Sequence, residues 1–177
     1  MSIKIRAARP GDADAIGAVH VESWRWAYRG QLPDDLLDGL DPAERAAGWR
    51  RILESGEIDV IVADDEARLV GFASAATSRD DDAPPGTGEV LTVYVVEDAV
   101  GTGAGRALLV GAQGLLRARG HTRATLWVLE SNERARRFYE RNGWRWDGSR
   151  GTHQVQCANM PVVRYAADLP GVVSDGR

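Results

Sequence analysis

Six consecutive residues, Gly101-Thr-Gly-Ala-Gly-Arg106, carry the plainest chemistry in this chain. Glycines at alternate positions let a backbone turn tightly and present its N–H groups toward one point. The residues that follow, Ala107, Leu108, Leu109, Ala112, Leu115 and Leu116, recur at helical spacing. A helix N-terminus fed by such a turn suits a phosphate or pyrophosphate. Two phosphate ligands fit poorly. A nucleoside-triphosphate loop needs Gly-Lys-Ser/Thr at the helix start, and here Gly105 is followed by Arg106 and Ala107. A dinucleotide fingerprint needs a third glycine where Arg106 stands, and it belongs in the first unit of a doubly wound sheet.

Other residues could take part in chemistry or simply pack. Trp24 and Tyr28 are four apart and project from one helix face, either into a core or as the wall of an acceptor pocket. His20 has an ordinary pKa suited to a general base, although a lone histidine is first read as structural. His121 and His153 are assigned no role. The run Asp80-Asp81-Asp82 reads as a solvated loop tip, with attraction of a cation as the second reading. One cysteine, Cys157, allows no intramolecular disulfide, offers no zinc cluster and suits a reducing cytosol.

The elements that must position these residues can be read in order. Ile3 and Ile5 alternate with Lys4 and Arg6 as a first strand, and Asp12 is placed to cap a helix running to Trp26. Helical stretches follow from Pro33 and from Asp41-Pro42, the latter ending near Ser55-Gly56, so that two helices are expected between the first and second strands. Residues 58–63 and 68–77 read as strands joined by the turn Asp64-Asp65-Glu66-Ala67. Residues 78–88 read as a loop, and Glu89 to Val96 as the most β-prone run. The helix after the glycines ends at Gly120, and residues 123–129 form another strand, so the two strands flanking that helix should be parallel. A helix from Asn132 to Arg141, capped by Ser131 or Asn132, precedes two closing strands, 144–147 and 160–166, joined by a polar loop 148–159.

The chain of 177 residues suits one domain, residues 1–168, with a frayed tail from 169. A formal charge of -4 argues against general nucleic-acid binding. The first residues read as a strand and not as a signal peptide, and no apolar run approaches membrane-spanning length. A cytoplasmic protein with no nucleic-acid and no membrane partner is therefore expected.

Two segments resemble the GNAT superfamily of acetyl-coenzyme A dependent N-acetyltransferases. The first, Leu91 to Leu109, is similar to the family's strand and Arg/Gln-x-x-Gly-x-Gly/Ala loop; the second, Leu126 to Trp144, is similar to its Asn-x-x-Ala-x-x-x-Tyr-x-x-x-Gly-Phe segment. The resemblance covers about residues 3 to 167. It implies an α/β (α+β) fold with a mixed, mostly antiparallel central sheet of about seven strands flanked by four to five helices. It also implies acetyl-CoA as co-substrate, no metal, and transfer of the acetyl group by direct attack of a primary amine of a small molecule or peptide. A homodimer is common in the family.

On that resemblance the pantetheine arm would pair with backbone groups near Val93 and Val95, and the pyrophosphate would sit on Gly101, Gly103, Ala104, Gly105 and Arg106. A backbone N–H near Val93 or Tyr94 would polarise the thioester carbonyl. Tyr139 corresponds to the family's general acid, Glu89 to its general base acting through water, and Asn132 to a contact of the pantetheine arm. Trp24 and Tyr28 would line the acceptor site. The Arg134, Arg136, Arg137 and Arg141 stretch reads as one solvated face, of which a member could meet the 3′-phosphoadenosine. The chain departs from the family at Val100, where Arg or Gln is usual, and the loss should weaken cofactor binding more than abolish it. A non-catalytic acyl-CoA sensor with the same fold is the alternative function.

Overall fold

The computed structural model describes residues 3–155 and 158–170; Cys157 and residues 171–177 of the tail lie outside the described residues. The elements are β1 (Lys4–Ala7), α1 (Ala13–Ala27), α2 (Asp34–Asp38), α3 (Pro42–Ser55), β2 (Asp59–Asp64), β3 (Leu69–Thr77), β4 (Thr87–Val95), α4 (Ala104–Ala118), β5 (Arg123–Leu129), α5 (Glu133–Arg141), β6 (Arg145–Val155) and β7 (Ala158–Asp168). The strands follow the hydrogen-bonding order β1-β2-β3-β4-β5-β7-β6 in one seven-stranded sheet. Strand β4 is parallel to β5, as the intervening α4 requires, while β1–β2, β2–β3, β5–β7 and β6–β7 are antiparallel. Two compact units share the chain, one of residues 1–76 and 90–112, the other of residues 77–89 and 113–177.

In the first unit, Val60 to Ala63 of β2 and eight consecutive residues of β3 are buried. Such runs mark strands covered on both faces. Ile16, Val21, Leu37, Val62, Val70, Phe72, Leu108 and Leu109 form its core. Gly17 lets α1 approach α3, since a Cβ there would lie 2.6 Å from the Pro42 carbonyl oxygen and 2.7 Å from the Ala46 nitrogen. Asp41 caps α3 through Oδ1, which accepts from the Ala43 N–H at 2.9 Å. Three α-helices, not two, separate β1 from β2, because α2 is a separate five-residue helix. Arg25 on α1 holds its end by donating to the carbonyls of Leu37, Asp38 and Leu40 at 3.0–3.1 Å. Asp12 does not cap α1 with its side chain. Its carboxylate instead accepts two bonds from the Arg6 guanidinium, at 2.8 and 2.9 Å, and one from the Arg9 N–H, a charged partner winning over a helix end.

In the second unit, Leu116, Ala124, Leu126, Trp144, Val163 and Tyr165 form the core. The polar segment 148–159 is not the expected loop. Arg150 to Val155 pair with Ala158 to Val163 in a long β6–β7 hairpin, after a register shift between Trp146 and Arg150 at which Gly148 takes φ 93°. Strand β6 ends the sheet order, so its polar side chains can face solvent while its backbone still pairs on one side. Leu169 is not frayed: it is buried, and its N–H donates to the Thr122 carbonyl at 2.8 Å.

Candidate active site

In the first unit, β4 leads through Val96, whose N–H donates to the Val70 carbonyl, into a short 3-10 turn at Glu97–Ala99 and then the glycines. Gly101 and Gly103 take φ of 82° and 95°, the left-handed region that only glycine adopts without strain. A Cβ at either would meet nothing within 4 Å, so the space above the turn is open and the need for glycine is conformational. The Thr102 hydroxyl braces the turn, donating to the Ala99 carbonyl at 2.7 Å and accepting from the Ala104 N–H at 3.4 Å. Ala104 is buried, Gly105 half-buried and Arg106 exposed. Ala107 donates to the Gly103 carbonyl at 2.9 Å, so Ala104, Gly105 and Arg106 stand in the first turn of a 15-residue helix, where N–H groups lack intrahelical acceptors and the dipole is positive. This cradle fits a pyrophosphate. Val100 is 48 % exposed and adds no donor to it.

Val93 and Val95 are half-buried on β4, and Tyr94 between them joins an aromatic cluster. His20 and Trp24 stand on successive turns of α1 and Tyr28 caps its end: the Trp24 ring lies 5.1 Å from Tyr28 and 6.2 Å from Tyr94, and His20 lies 5.2 Å from Trp24 and 5.3 Å from Tyr94. Trp49 and Phe72 complete the group. Trp24 and Tyr28 are therefore half-buried members of one aromatic cluster beside Tyr94 of β4. Burial raises the Tyr94 phenol above its ordinary pKa, opposed by hydrogen bonding to Trp24 and Tyr28.

His20 does not suit the role of base. Burial, assisted by the positive charge of Arg45, lowers its pKa to about 4. Its Nδ1 accepts the Trp49 indole N–H at 3.0 Å, which places the ring proton on Nε2 and occupies the free lone pair. The four-residue spacing of Trp24 and Tyr28 was the sequence signal for this cluster; Trp49 and Phe72 left none.

The second unit holds Glu89, Asn132 and Tyr139. Glu89 is half-buried at the start of β4, and its carboxyl is raised above the ordinary range, first by burial and then by the charge of Asp80. A hydrogen bond from the Arg79 N–H and the charges of Arg79 and Arg164 oppose the rise. Asn132 is buried and caps α5, its Oδ1 accepting from the Ala135 N–H at 3.1 Å. Tyr139 is half-buried among Phe138, Trp144 and Tyr165, with ring centroids 5.3, 6.3 and 6.4 Å away.

The sequence profile of the acetyltransferase (GNAT) family matches residues 20–144. The chain belongs to the GNAT acetyltransferase family. It is 35 % identical over 131 residues to YuaI, an uncharacterized N-acetyltransferase of Bacillus subtilis strain 168, covering 73 % of each chain. It is 34 % identical over 151 residues to the mycothiol acetyltransferase of Frankia alni, covering 77 % of this chain but only 41 % of that protein. Among solved structures, the PaiA N-acetyltransferase of Thermoplasma acidophilum in complex with coenzyme A has the same fold, with a TM-score of 0.71 at 20 % identity, over 93 % of this chain and 98 % of that one.

Two surface readings change in this GNAT chain. The acidic segment is not a free solvated tip, because Asp80 and Asp82 both bind Arg164 of β7, which is only 7 % exposed. The arginines of α5 do not form one solvated face either. Arg136 packs inward, donating to the Tyr165 hydroxyl at 3.3 Å and the Glu130 carbonyl at 3.0 Å, while the Tyr165 hydroxyl donates to Glu140 at 2.7 Å. Among the described residues no helix is long and apolar enough to cross a membrane.

Proposed function

We propose that the protein transfers an acetyl group from acetyl-CoA to a primary amine of a small molecule or peptide by direct attack. The observation that carries this reading is the open turn at Gly101 and Gly103, set directly after β4 and directly before α4. Gly101 to Arg106 would hold the pyrophosphate through backbone N–H groups, Val93 and Val95 would pair with the pantetheine arm along β4, and Asn132 would add a contact to that arm. Bound there, acetyl-CoA supplies an activated thioester acyl group.

The remaining chemistry falls to side chains. A primary amine reaches the protein as ammonium and must lose a proton before its nitrogen can form the new C–N bond. Glu89 takes that proton through water, and its half-buried position suits a carboxylate that has to compete for one. As the C–S bond breaks, Tyr139 supplies a proton to the departing sulfur. Trp24 and Tyr28 give the acceptor an aromatic wall, suited to the alkyl part of an amine or to its cation.

An amine-panel assay following release of the coenzyme A thiol tests the reading. Turnover should fall at least about tenfold in Tyr139→Phe, equivalent to about 1.4 kcal/mol of barrier. Unchanged turnover would remove Tyr139 as the acid. By calorimetry Gly103→Glu should lose acetyl-CoA binding, since a carboxylate would enter the cradle and a side chain would strain the backbone at φ 95°. Acetyl-CoA binding without turnover of any amine would make the protein an acyl-CoA sensor.

A further inference from the structure

The residues between β3 and β4 are organised around one cation. Arg164 donates from Nε to Asp147 at 2.7 Å, from Nη1 to Asp80 at 3.0 Å and Asp82 at 2.6 Å, and from Nη2 to Asp82 at 2.7 Å and the Ser149 hydroxyl at 2.9 Å. The Trp127 indole N–H donates to both oxygens of Asp80, at 3.1 and 3.3 Å, and the guanidinium lies over the Trp127 ring at 5.4 Å. Three carboxylates thus share one guanidinium, and the cluster keeps an excess of negative charge.

Sheet register sets this cluster beside Glu89. Glu89 is paired with Thr125, and Arg164 with Trp127. Paired residues share a sheet face, and so do residues two apart along a strand, so Glu89, Thr125, Trp127 and Arg164 lie on one face. The segment also returns to β4 through its backbone, where Ser78 donates to the Thr87 carbonyl at 3.0 Å and Arg79 donates its N–H to the Glu89 carboxylate.

We propose that Asp80 is a positioning residue: anchored by Trp127 and Arg164, it fixes a negative charge beside the sheet face that carries Glu89. The inference rests on Glu89 acting as the base. Asp80 is suited to this because its side chain is 18 % exposed, whereas that of Asp82 is 66 % exposed and serves to tie down the segment. The charged groups acting on Glu89 are Asp80 and Arg79 from the segment and Arg164 from β7; β5 contributes the neutral Thr125 and Trp127 to the same face. Of these, Asp80 is the one that favours the protonated acid.

The test is the pH dependence of kcat/KM for the native protein, Asp80→Asn, Asp82→Asn and Glu89→Gln, with folding of each checked by circular dichroism. Asparagine removes the charge and keeps one acceptor oxygen where the carboxylate offers two to the Trp127 N–H and Arg164. The acidic limb should move to lower pH in Asp80→Asn, since the charge that favours the protonated acid is gone. It should move less in Asp82→Asn, which acts on Glu89 only through Arg164. Loss of the limb in Glu89→Gln together with an unmoved limb in Asp80→Asn would overturn the role of Asp80 while leaving Glu89 as the base. A limb retained in Glu89→Gln would remove Glu89 as the base, and the role of Asp80 with it. If Asp80→Asn does not fold, Asp80→Ser removes the same charge with a smaller polar side chain and should shift the limb in the same direction; an unmoved limb there would overturn the proposal.

Discussion

His20 in the first unit has its ring among Trp24, Trp49, Phe72 and Tyr94, and the partner of its Nδ1 is the neutral indole of Trp49. Arg164 in the second unit has three carboxylates around its guanidinium. Both groups are largely withdrawn from water, where a lone charge is costly. The histidine can shed its proton and does so; the arginine cannot, and is matched by counter-charges instead. The first arrangement leaves an uncharged aromatic wall, suited to an organic substrate. The second leaves a fixed field, suited to tuning a neighbouring carboxylate.

The comparison can be broken most severely at Arg164. Arg164→Met should cost about 3–5 kcal/mol in urea unfolding, because Asp80 and Asp147 would keep their places without a cation. A loss below about 1 kcal/mol would mean that water already satisfies those carboxylates. Acid titration should then separate the two clusters. The folded pKa of His20, about 4, lies below its unfolded value near 6.5, so its contribution is fully present above pH 6.5 and is lost as the pH falls toward 4. The loss should reach about 3 kcal/mol and be absent in His20→Asn. Asp82 and Asp147 are held below the ordinary carboxylate range, Asp82 chiefly by its hydrogen bonds from Arg164 and Asp147 by hydrogen bonds from Ser149 and Arg164 that outweigh its burial. Their contribution is therefore present above the unfolded carboxylate pKa of about 3.9 and lost only at more acidic pH. A stability curve flat from pH 7 to 4.5 would contradict the neutral, buried His20. The smallest effect is expected for Trp49→Phe, which keeps the ring packing against Phe72 and removes one neutral hydrogen bond, at about 1 kcal/mol in thermal unfolding.

The difference between the clusters also explains what could be read from the residues in advance. The turn at Gly101 to Arg106 and the caps at Asp41 and Asn132 are local, a few adjacent residues fixing the geometry, and they stand where their spacing places them. Glu89 and Tyr139 rest on resemblance alone, and both side chains are half-buried. The acidic segment was misread because a run of aspartates repels itself unless a cation arrives from elsewhere, and Arg164 is 82 and 84 residues away in sequence. Asp12 was misread for a similar reason, its partner Arg6 lying on the preceding strand. The continuation of β6 beyond Asp147 was hidden because its pairing is a backbone property, while its side chains face a different demand from those of a central strand.

That outer strand has a consequence for the protein in concentrated solution. A terminal strand offers a row of backbone donors and acceptors that another extended chain can join, and self-association begins at such edges. Here the row is interrupted between Trp146 and Arg150, where the ladder loses register at Gly148. Asp147 turns its charge inward to Arg164, and Arg150 covers the Trp146 ring at 5.3 Å. A bend and inward charge deny a second molecule the straight, apolar border on which fibres and precipitates grow.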